Sequence, residues 1–304
     1  MALTLVTGGT GHLGRDIVDR LVRDGRHVRV FARSPGTRSD VEWASGDLAT
    51  GAGLREALHD VDTVINAATY SPIARRGGIR PTDFFTSPSA VDVEGTGRLL
   101  SSCGEARVRH LLHVSIVGLD EATLPYARVK LAGERLVRAS ALSWSVVRAM
   151  PFYYLLDRLL SGLAWLPVWP VPTTLFNPVD TSDVADHVVA CAFDGMRGER
   201  AEIGGPEDLE FVSLARRYQD ARRLHRKILP MNLSDAKARG MGFVVSHGVR
   251  GRLSWTDWLQ RNDPVKRDPA MTGPTGALRP VRRKAAEARQ KHTAYGEHSA
   301  FGRR

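Results

Sequence analysis

Leu3-Thr4-Leu5-Val6-Thr7-Gly8-Gly9-Thr10-Gly11-His12-Leu13-Gly14 is an apolar, β-branched run that breaks into a glycine turn almost at the start of the chain. Gly8, Gly11 and Gly14 are spaced three apart, and Asp16-Ile17-Val18-Asp19-Arg20-Leu21-Val22 then follows with helical periodicity. A strand, a glycine turn and an amphipathic helix in that order form a nucleotide cradle. Gly8 lets the chain turn sharply off the strand, and Gly11 lets backbone approach a pyrophosphate with no Cβ between them. Gly14 lets the helix settle close to the sheet, and the helix N-terminus offers unpaired N–H groups and positive dipole to phosphates. A glycine triplet alone is a weak signal; its place between strand and helix gives it meaning.

Outward from this turn, strands and helices alternate, which predicts βαβ units and a parallel, doubly wound α/β sheet. Strands are expected at 26–33, 41–44, 63–68, 110–115 and 143–148, with helices near 52–58, 92–102 and 126–139. The pattern divides the chain into a dinucleotide-binding Rossmann domain over 1–150, a smaller substrate-binding portion over 151–262 interleaved with it, and a tail over 263–304. A Gly-, Pro-, Ser- and Arg-rich loop from Tyr70 to Ser89 has the length of a lid or binding loop. Phe152–Phe176 is the most apolar stretch. Asp157 and Arg158 inside it, with Pro167, Pro170 and Pro172, exclude a membrane span. It reads as a core helix with a following loop, as a hydrophobic wall over a substrate pocket, or as both. Asp180-Thr181-Ser182-Asp183 reads as an N-cap cluster opening a helix over 184–192. Strand-like 201–203 and helices at 213–224 and 255–260 complete the smaller portion.

With 304 residues, 42% of them hydrophobic, the chain can bury a substantial core. Two cysteines, Cys103 and Cys191, without paired spacing fit a reducing compartment and give no thiolate metal site. The first strand starts too near Met1 to leave room for a basic-plus-apolar leader, so a cytoplasmic protein is expected. Of the net charge of +10, residues 264–304 carry +7, from ten Lys/Arg against three Asp/Glu. The remainder is ordinary for a soluble enzyme, and the tail reads as disordered. A basic tail can touch nucleic acid or anionic lipid, but no aromatic interleaving accompanies it, so no nucleic-acid partner is expected beyond the tail.

Several positions fall where a dinucleotide needs them. Arg33 ends the second strand, where a carboxylate suits the ribose of NAD and an arginine the 2′-phosphate of NADP; a plain surface arginine is the alternative. Ser34 can add a hydroxyl, and Arg38 can assist. Asp47, after Gly46, can accept from the adenine amino group or serve as a turn residue. Ala67 and Ala68 are small enough for a ribose to cross the sheet edge, or reflect tight packing. Tyr126-Ala127-Arg128-Val129-Lys130 places a phenol and an ammonium on one helical face. A tyrosine of pKa roughly 10 is a poor acid or base at neutral pH, and a neighbouring cation is expected to lower that value. Tyr126 then relays the proton of a C=O/CH–OH interconversion, Lys130 binds the nicotinamide ribose, and Ser115 holds the substrate oxygen.

Together these residues resemble the short-chain dehydrogenase/reductase superfamily, in its atypical NmrA-like branch. The likeness covers residues 2 to about 262. It runs through Thr7–Gly14, Arg33, Gly46-Asp47-Leu48, Val91-Asp92-Val93-Glu94-Gly95-Thr96, His113-Val114-Ser115-Ile116-Val117-Gly118, Tyr126–Lys130, Arg148-Ala149-Met150-Pro151-Phe152 and Asn177-Pro178-Val179-Asp180. The Asn-Ala-Gly usual on the fourth strand stands here as Asn66-Ala67-Ala68. The resemblance implies that Tyr126, Lys130 and Ser115 form the catalytic triad and that Pro151 and Phe152 lie beside the nicotinamide. The expected coenzyme contacts are Gly8, Thr10, Gly11, His12, Leu13, Gly14, Arg33, Ser34, Asp47, Leu48, Ala67, Ala68, Lys130, Pro151 and Phe152. Ser115 and Tyr126 are only eleven residues apart, tighter than the usual arrangement. The expected function is an NADP(H)-dependent oxidoreductase, NAD being the other coenzyme, acting on a small, rather apolar substrate. The alternative is a redox sensor that binds NADP(H) without turnover, as some members of that branch do.

Overall fold

The computed structural model describes residues 2–70 and 88–263. Most of the Tyr70–Ser89 loop and the basic tail lie outside them. In chain order the elements are β1 (Leu3–Thr7), α1 (His12–Arg23), β2 (His27–Ala32), β3 (Glu42–Ser45), α2 (Leu54–Ala57) and β4 (Val61–Asn66). A π-helical turn (Ala90–Gly95) runs into α3 (Thr96–Glu105), then β5 (His110–Ile116), α4 (Pro125–Ala139) and β6 (Trp144–Ala149). There follow α5 (Tyr153–Gly162), β7 (Val168–Pro172), β8 (Leu175–Phe176), α6 (Thr181–Phe193), β9 (Glu199–Gly204) and β10 (Leu209–Glu210). The last are α7 (Phe211–Arg222), β11 (Lys227–Met231), α8 (Asp235–Gly240), β12 (Val249–Arg250) and α9 (Trp255–Arg261).

Eight strands form one parallel sheet in the order β12-β9-β6-β5-β4-β1-β2-β3. The order reverses between β1 and β4, the switch point outside which a doubly wound sheet binds its ligand. Helices cover both faces, so the central strands β1, β4, β5 and β6 bury both sets of their alternating side chains, while the edge strands β3 and β12 do not. Leu5, Val64, Leu111 and Val146 face one way, with Leu99 and Cys103 of α3 and Val137 of α4. Val6, Ile65, Leu112 and Val147 face the other, with Ile17, Val18 and Leu21 of α1 and Val184 and Val188 of α6. That parity decides later which strand residues can reach α4.

The α/β expectation matches the sheet, and one local feature differs from the sequence reading. The stretch after α5 is not a loop: Val168–Pro172 is a strand paired in parallel with Lys227–Met231. Its prolines are tolerated because this sheet has only two strands and the proline nitrogens face its open side. Phe152–Phe176 also serves mostly as core. Tyr153, Leu156, Leu160, Trp169, Val171 and Phe176 are buried, while Trp165, at 78% exposure, and Leu159 face outward. The N-cap cluster does open α6, through Asp180 accepting from the Ser182 N–H at 3.0 Å.

Residues Met1–Arg261 form one compact unit. The chain beyond residue 150 contributes β9 and β12 to the same sheet as β1–β6. No helix among the described residues is long and apolar enough to cross a membrane.

Candidate active site

The glycine turn at the C-terminal end of β1 has the shape a pyrophosphate needs. Gly8 has φ +72°, and a Cβ there would lie 2.7 Å from the Ala67 carbonyl oxygen and the Ala68 nitrogen. A side chain on Gly8 would therefore push the first turn off the end of β4. The Gly11 N–H donates to the Gly8 carbonyl at 2.9 Å, closing the turn. A Cβ on Gly14 would lie 2.1 Å from that same carbonyl, so only glycine lets α1 start this close to the sheet. Gly11 is the N-cap of α1 and no side chain caps it. The first-turn N–H groups of His12, Leu13 and Gly14 are left for an anion. The residues present thus fit a dinucleotide.

Around the cradle the expected contacts divide. Arg33 and Ser34 are exposed just past the end of β2. Arg33 makes no hydrogen bond or ion pair among the described residues, so its guanidinium is available. Arg38 is engaged: it donates to Asp40 at 2.6 and 2.8 Å and also pairs with Asp19. Asp47 uses Oδ1 to accept from the Ala49 N–H at 2.9 Å, an Asx turn, and Leu48 beside it is buried. Thr10 is exposed on the turn. The rings of Phe152 and Tyr154 stack at 5.7 Å and those of Tyr154 and His12 at 4.1 Å, linking the chain just after β6 to the first residue of α1. Pro151 holds that segment, its carbonyl accepting from the Val179 N–H at 3.1 Å. Covering of the ring, then Arg15 and Arg158, lower the His12 pKa and keep the imidazole neutral.

Helix α4 starts at Pro125, whose missing N–H costs nothing at that position. Its sheet-facing side carries charge as well as carbon: Ala127, Lys130, Gly133, Glu134 and Val137 are all buried. Each buried charge has a partner, as burial demands. The Lys130 ammonium donates to Asp92 Oδ1 at 2.6 Å and to the Thr69 hydroxyl. Asp92 in turn accepts from the Tyr70 N–H at 3.0 Å. Thr69 follows Ala67 and Ala68, so Lys130 reaches the strand end that Gly8 abuts. Below it a polar row crosses three strands: the Thr7 hydroxyl donates to Asn66 at 2.6 Å, and the Asn66 amide meets His113 Nδ1 at 3.1 Å.

Tyr126 is half-buried one helical turn before Lys130, whose Nζ lies 5.8 Å from the phenol ring centre. The expected lowering of the phenol pKa does not occur. Burial raises it, Lys130 opposes that and Asp92 adds to it, and the outcome is above the usual tyrosine value. Burial is the larger cause, and the carboxylate 2.6 Å from the ammonium offsets part of the field by which Lys130 opposes it. Burial also pulls the Lys130 ammonium down, but Asp92 and Tyr126 outweigh it and hold it above the usual lysine range.

The Ser115 side chain turns to Glu134 of α4. Its hydroxyl donates to Glu134 Oε2 at 2.7 Å, and Arg148, opposite Ser115 in the register of β5 and β6, donates to the same carboxylate at 2.8 and 2.9 Å. Arg148 also donates to Asp120 at 2.5 Å. Alternation decides this: Leu111, His113 and Ser115 point to the α4 face, where Glu134 waits. Sequence reasoning gives no role to Asp92, Thr69, Asn66, His113 or Tyr154, although Asn66 and His113 stand in quoted motifs. Asp92 stood in a quoted motif, and its pairing needed the third dimension.

Comparison with known proteins agrees with this geometry. Residues 8–194 match the family described as NAD(P)H-binding. A "(4-alkanoyl-5-oxo-2,5-dihydrofuran-3-yl)methyl phosphate reductase" of Streptomyces griseus is 28% identical over 224 residues, covering 67% of this chain and 68% of that protein. The NADH-ubiquinone oxidoreductase 40 kDa subunit of Neurospora crassa is 27% identical over 209 residues, 66% of this chain and 55% of its own. The chain thus spans between about half and two thirds of the length of these relatives. Among solved structures, a short-chain dehydrogenase/reductase superfamily protein of Agrobacterium tumefaciens with bound NAD has a TM-score of 0.67 at 20% identity, covering 88% of this chain and 98% of that one. UDP-glucose 4-epimerase of Thermotoga maritima gives 0.65 at 16% identity, covering 88% and 99%. With the glycine turn and the Tyr126–Lys130 helix inside the matched segment, this chain belongs to the NAD(P)H-binding family, on the Rossmann fold of the short-chain dehydrogenase/reductases.

Proposed function

We propose that the protein is an NADP(H)-dependent oxidoreductase interconverting a carbonyl and an alcohol on a small, rather apolar substrate. The observation that carries this reading is the placement of Tyr126 and the buried Lys130 on one face of α4, with Lys130 bonded to the strand end against which the Gly8 turn rests. The coenzyme supplies hydride when bound. Gly8, Gly11 and Gly14 shape its pyrophosphate site, with Thr10, His12 and Leu13 in the same turn. Arg33 and Ser34 face the ribose 2′-phosphate, and Asp47 with Leu48 borders the adenine. Ala67 and Ala68 leave room for the ribose, whose hydroxyls Lys130 binds, and Pro151 and Phe152 flank the nicotinamide. Tyr126 moves the proton at the substrate oxygen. Relatives named as reductases and dehydrogenases support the class, among them a 3 beta-hydroxysteroid dehydrogenase/Delta 5-->4-isomerase of Mycobacterium tuberculosis, 32% identical over 157 residues.

The test is a panel of carbonyl compounds with NADPH. Tyr126→Phe should bind NADPH as the parent does and lose turnover by about 10²- to 10⁴-fold, the range for a general acid. Undiminished turnover in that variant would remove Tyr126 from the chemistry. A second reading, a coenzyme-binding sensor without turnover, is favoured by one feature: the Ser115 hydroxyl is committed to Glu134. Tight NADPH binding with no consumption by any carbonyl would establish it.

A further inference from the structure

Asp92 belongs to no part of the coenzyme cradle, yet it is the ion-pair partner of Lys130. It is 4% exposed, in the π-helical turn Ala90–Gly95. Such turns are uncommon and cluster where a side chain must be aimed. This turn is pressed against α4 at Gly133, where a Cβ would stand 2.2 Å from the Asp92 carbonyl oxygen. The approach brings Oδ1 to 2.6 Å from Lys130 Nζ, while Oδ2 accepts from the Tyr70 N–H. The other ionisable groups around the pair do not replace Asp92. On β5, His113 is held neutral by burial and by Lys130, its pKa pushed down to about 4. Glu134, one turn further along α4, is taken by Arg148 and Ser115. Tyr154 of α5, which feels Tyr126, is itself held protonated by burial. Among the described residues, a single carboxylate opposes a single ammonium in this shell. A lone ammonium beside Tyr126 would favour phenolate; a neutral pair does not.

We propose that Asp92 is a positioning residue that holds Lys130 in a buried ion pair and so adds to burial in keeping Tyr126 a protonated phenol, so that the site favours carbonyl reduction over alcohol oxidation. The inference deepens the oxidoreductase reading and rests on it for the direction of the reaction. In reduction, hydride from the reduced coenzyme forms the new C–H bond as the C=O π bond breaks. The Tyr126 proton forms the O–H bond, and solvent returns a proton to the phenolate. The reverse reaction needs the phenolate at the start, which the neutral pair does not support.

The experiment is an ultraviolet difference titration of the full chain, with Tyr126→Phe as the blank that isolates one phenol among the six tyrosines. Tyr126 should titrate above an ordinary tyrosine in the parent. In Asp92→Asn it should titrate about one pH unit lower or more, as expected when one charge several ångströms away is removed from a partly buried site. Asp92→Glu should restore the parent value. If Asp92→Asn, still folded by circular dichroism, titrates with the parent, the proposal is overturned. If Asp92→Asn fails to fold, the parent decides alone: a Tyr126 that titrates at or below an ordinary tyrosine overturns it equally. Where turnover is measurable, the alkaline fall of the reduction rate should move down in Asp92→Asn by the same interval, with the KM for NADPH changed less than kcat. Absence of turnover in the parent would sink the oxidoreductase reading and leave the titration to decide the role of Asp92.

Discussion

An arginine past the end of a strand is a common surface feature, and what separates Arg33 from the rest is what it does not touch. Arg29 pairs with Glu42 and Arg38 with Asp40 and Asp19, whereas Arg33 stays exposed with its five donors unclaimed among the described residues. A planar guanidinium in that state is suited to a phosphate and ill suited to a neutral ribose hydroxyl. Replacing it should therefore discriminate between coenzymes. In Arg33→Asp we expect NADPH binding to weaken by about 10- to 100-fold, the worth of a charge-assisted hydrogen bond to phosphate, with NADH binding unchanged or improved. Fluorescence titration with both coenzymes measures it, and equal losses for the two would show that Arg33 does not read the phosphate. Ser115 is an occupied group by contrast, its hydroxyl already donating to the buried Glu134 carboxylate. If its role is structural, two outcomes follow. Ser115→Ala should cost about 1–2 kcal/mol of stability by leaving Glu134 one donor short, and should lower turnover far less than Tyr126→Phe does. Thermal melts and paired kinetics decide between the two roles.

At the scale of elements, α4 is the part on which the site depends, and it is held by buried charge pairs as well as by apolar packing through Ala127 and Val137. Lys130 and Glu134 would each be expensive to bury alone, so Asp92 on one side and Arg148 with Ser115 on the other fix the rotation of the helix about its axis. Tyr126 inherits its direction from that rotation. Gly133 sets the distance between α4 and the π-helical turn, because any side chain there meets the Asp92 carbonyl. Gly133→Ala should accordingly destabilise the fold by about 1–3 kcal/mol, the usual cost of overfilling a packed contact. Substitution at Gly104, an exposed glycine of α3 with open space where its Cβ would be, should leave stability the same or higher. Urea denaturation of the two variants is the comparison. A neutral Gly133→Ala would mean that the turn can retreat from α4 without loss.

Across the whole molecule, the sheet buries histidines as neutral bases. His110 and His113 are 1% and 5% exposed on β5, and burial pushes both down to about 4. The unfolded chain binds a proton at each near pH 6.5, while the folded chain resists until about pH 4, so the unfolded state binds more protons through that interval. Stability is therefore present above pH 6.5 and lost as the pH falls towards 4, by up to about 3 kcal/mol per histidine before solvent relaxation is allowed for. The urea midpoint should drop steadily between pH 7 and pH 4.5. His113→Asn, which keeps a partner for Asn66, should flatten that slope in the same measurement. A midpoint insensitive to pH over this range would mean that the two imidazoles are hydrated in the folded state.

The strand, the glycine turn and the helix at the start of the chain were legible because each rests on local physics. Gly8 needs a positive φ, Gly14 needs the absence of a Cβ, and the apolar residues of α1 recur at the helical period. The parallel sheet was legible for the same reason, since its strands read as apolar runs separated by helices. So was the cap of α6 at Asp180, which needs only its own next two residues. The chemistry of the site was not local. The spacing of Tyr126 and Lys130 states that phenol and ammonium share a face, but a pKa is set by every charge nearby. Asp92 reaches Lys130 from 38 residues away, through a turn that presses on Gly133. Likewise Ser115 could be placed at a strand end from sequence, yet which neighbour takes its proton depended on strand parity, the register with Arg148 and the arrival of Glu134 on a helix. Local periodicity determined the scaffold and the phosphate turn. Only the tertiary structure decided which charges cancel, because electrostatic partners are chosen by distance in space and not by distance along the chain.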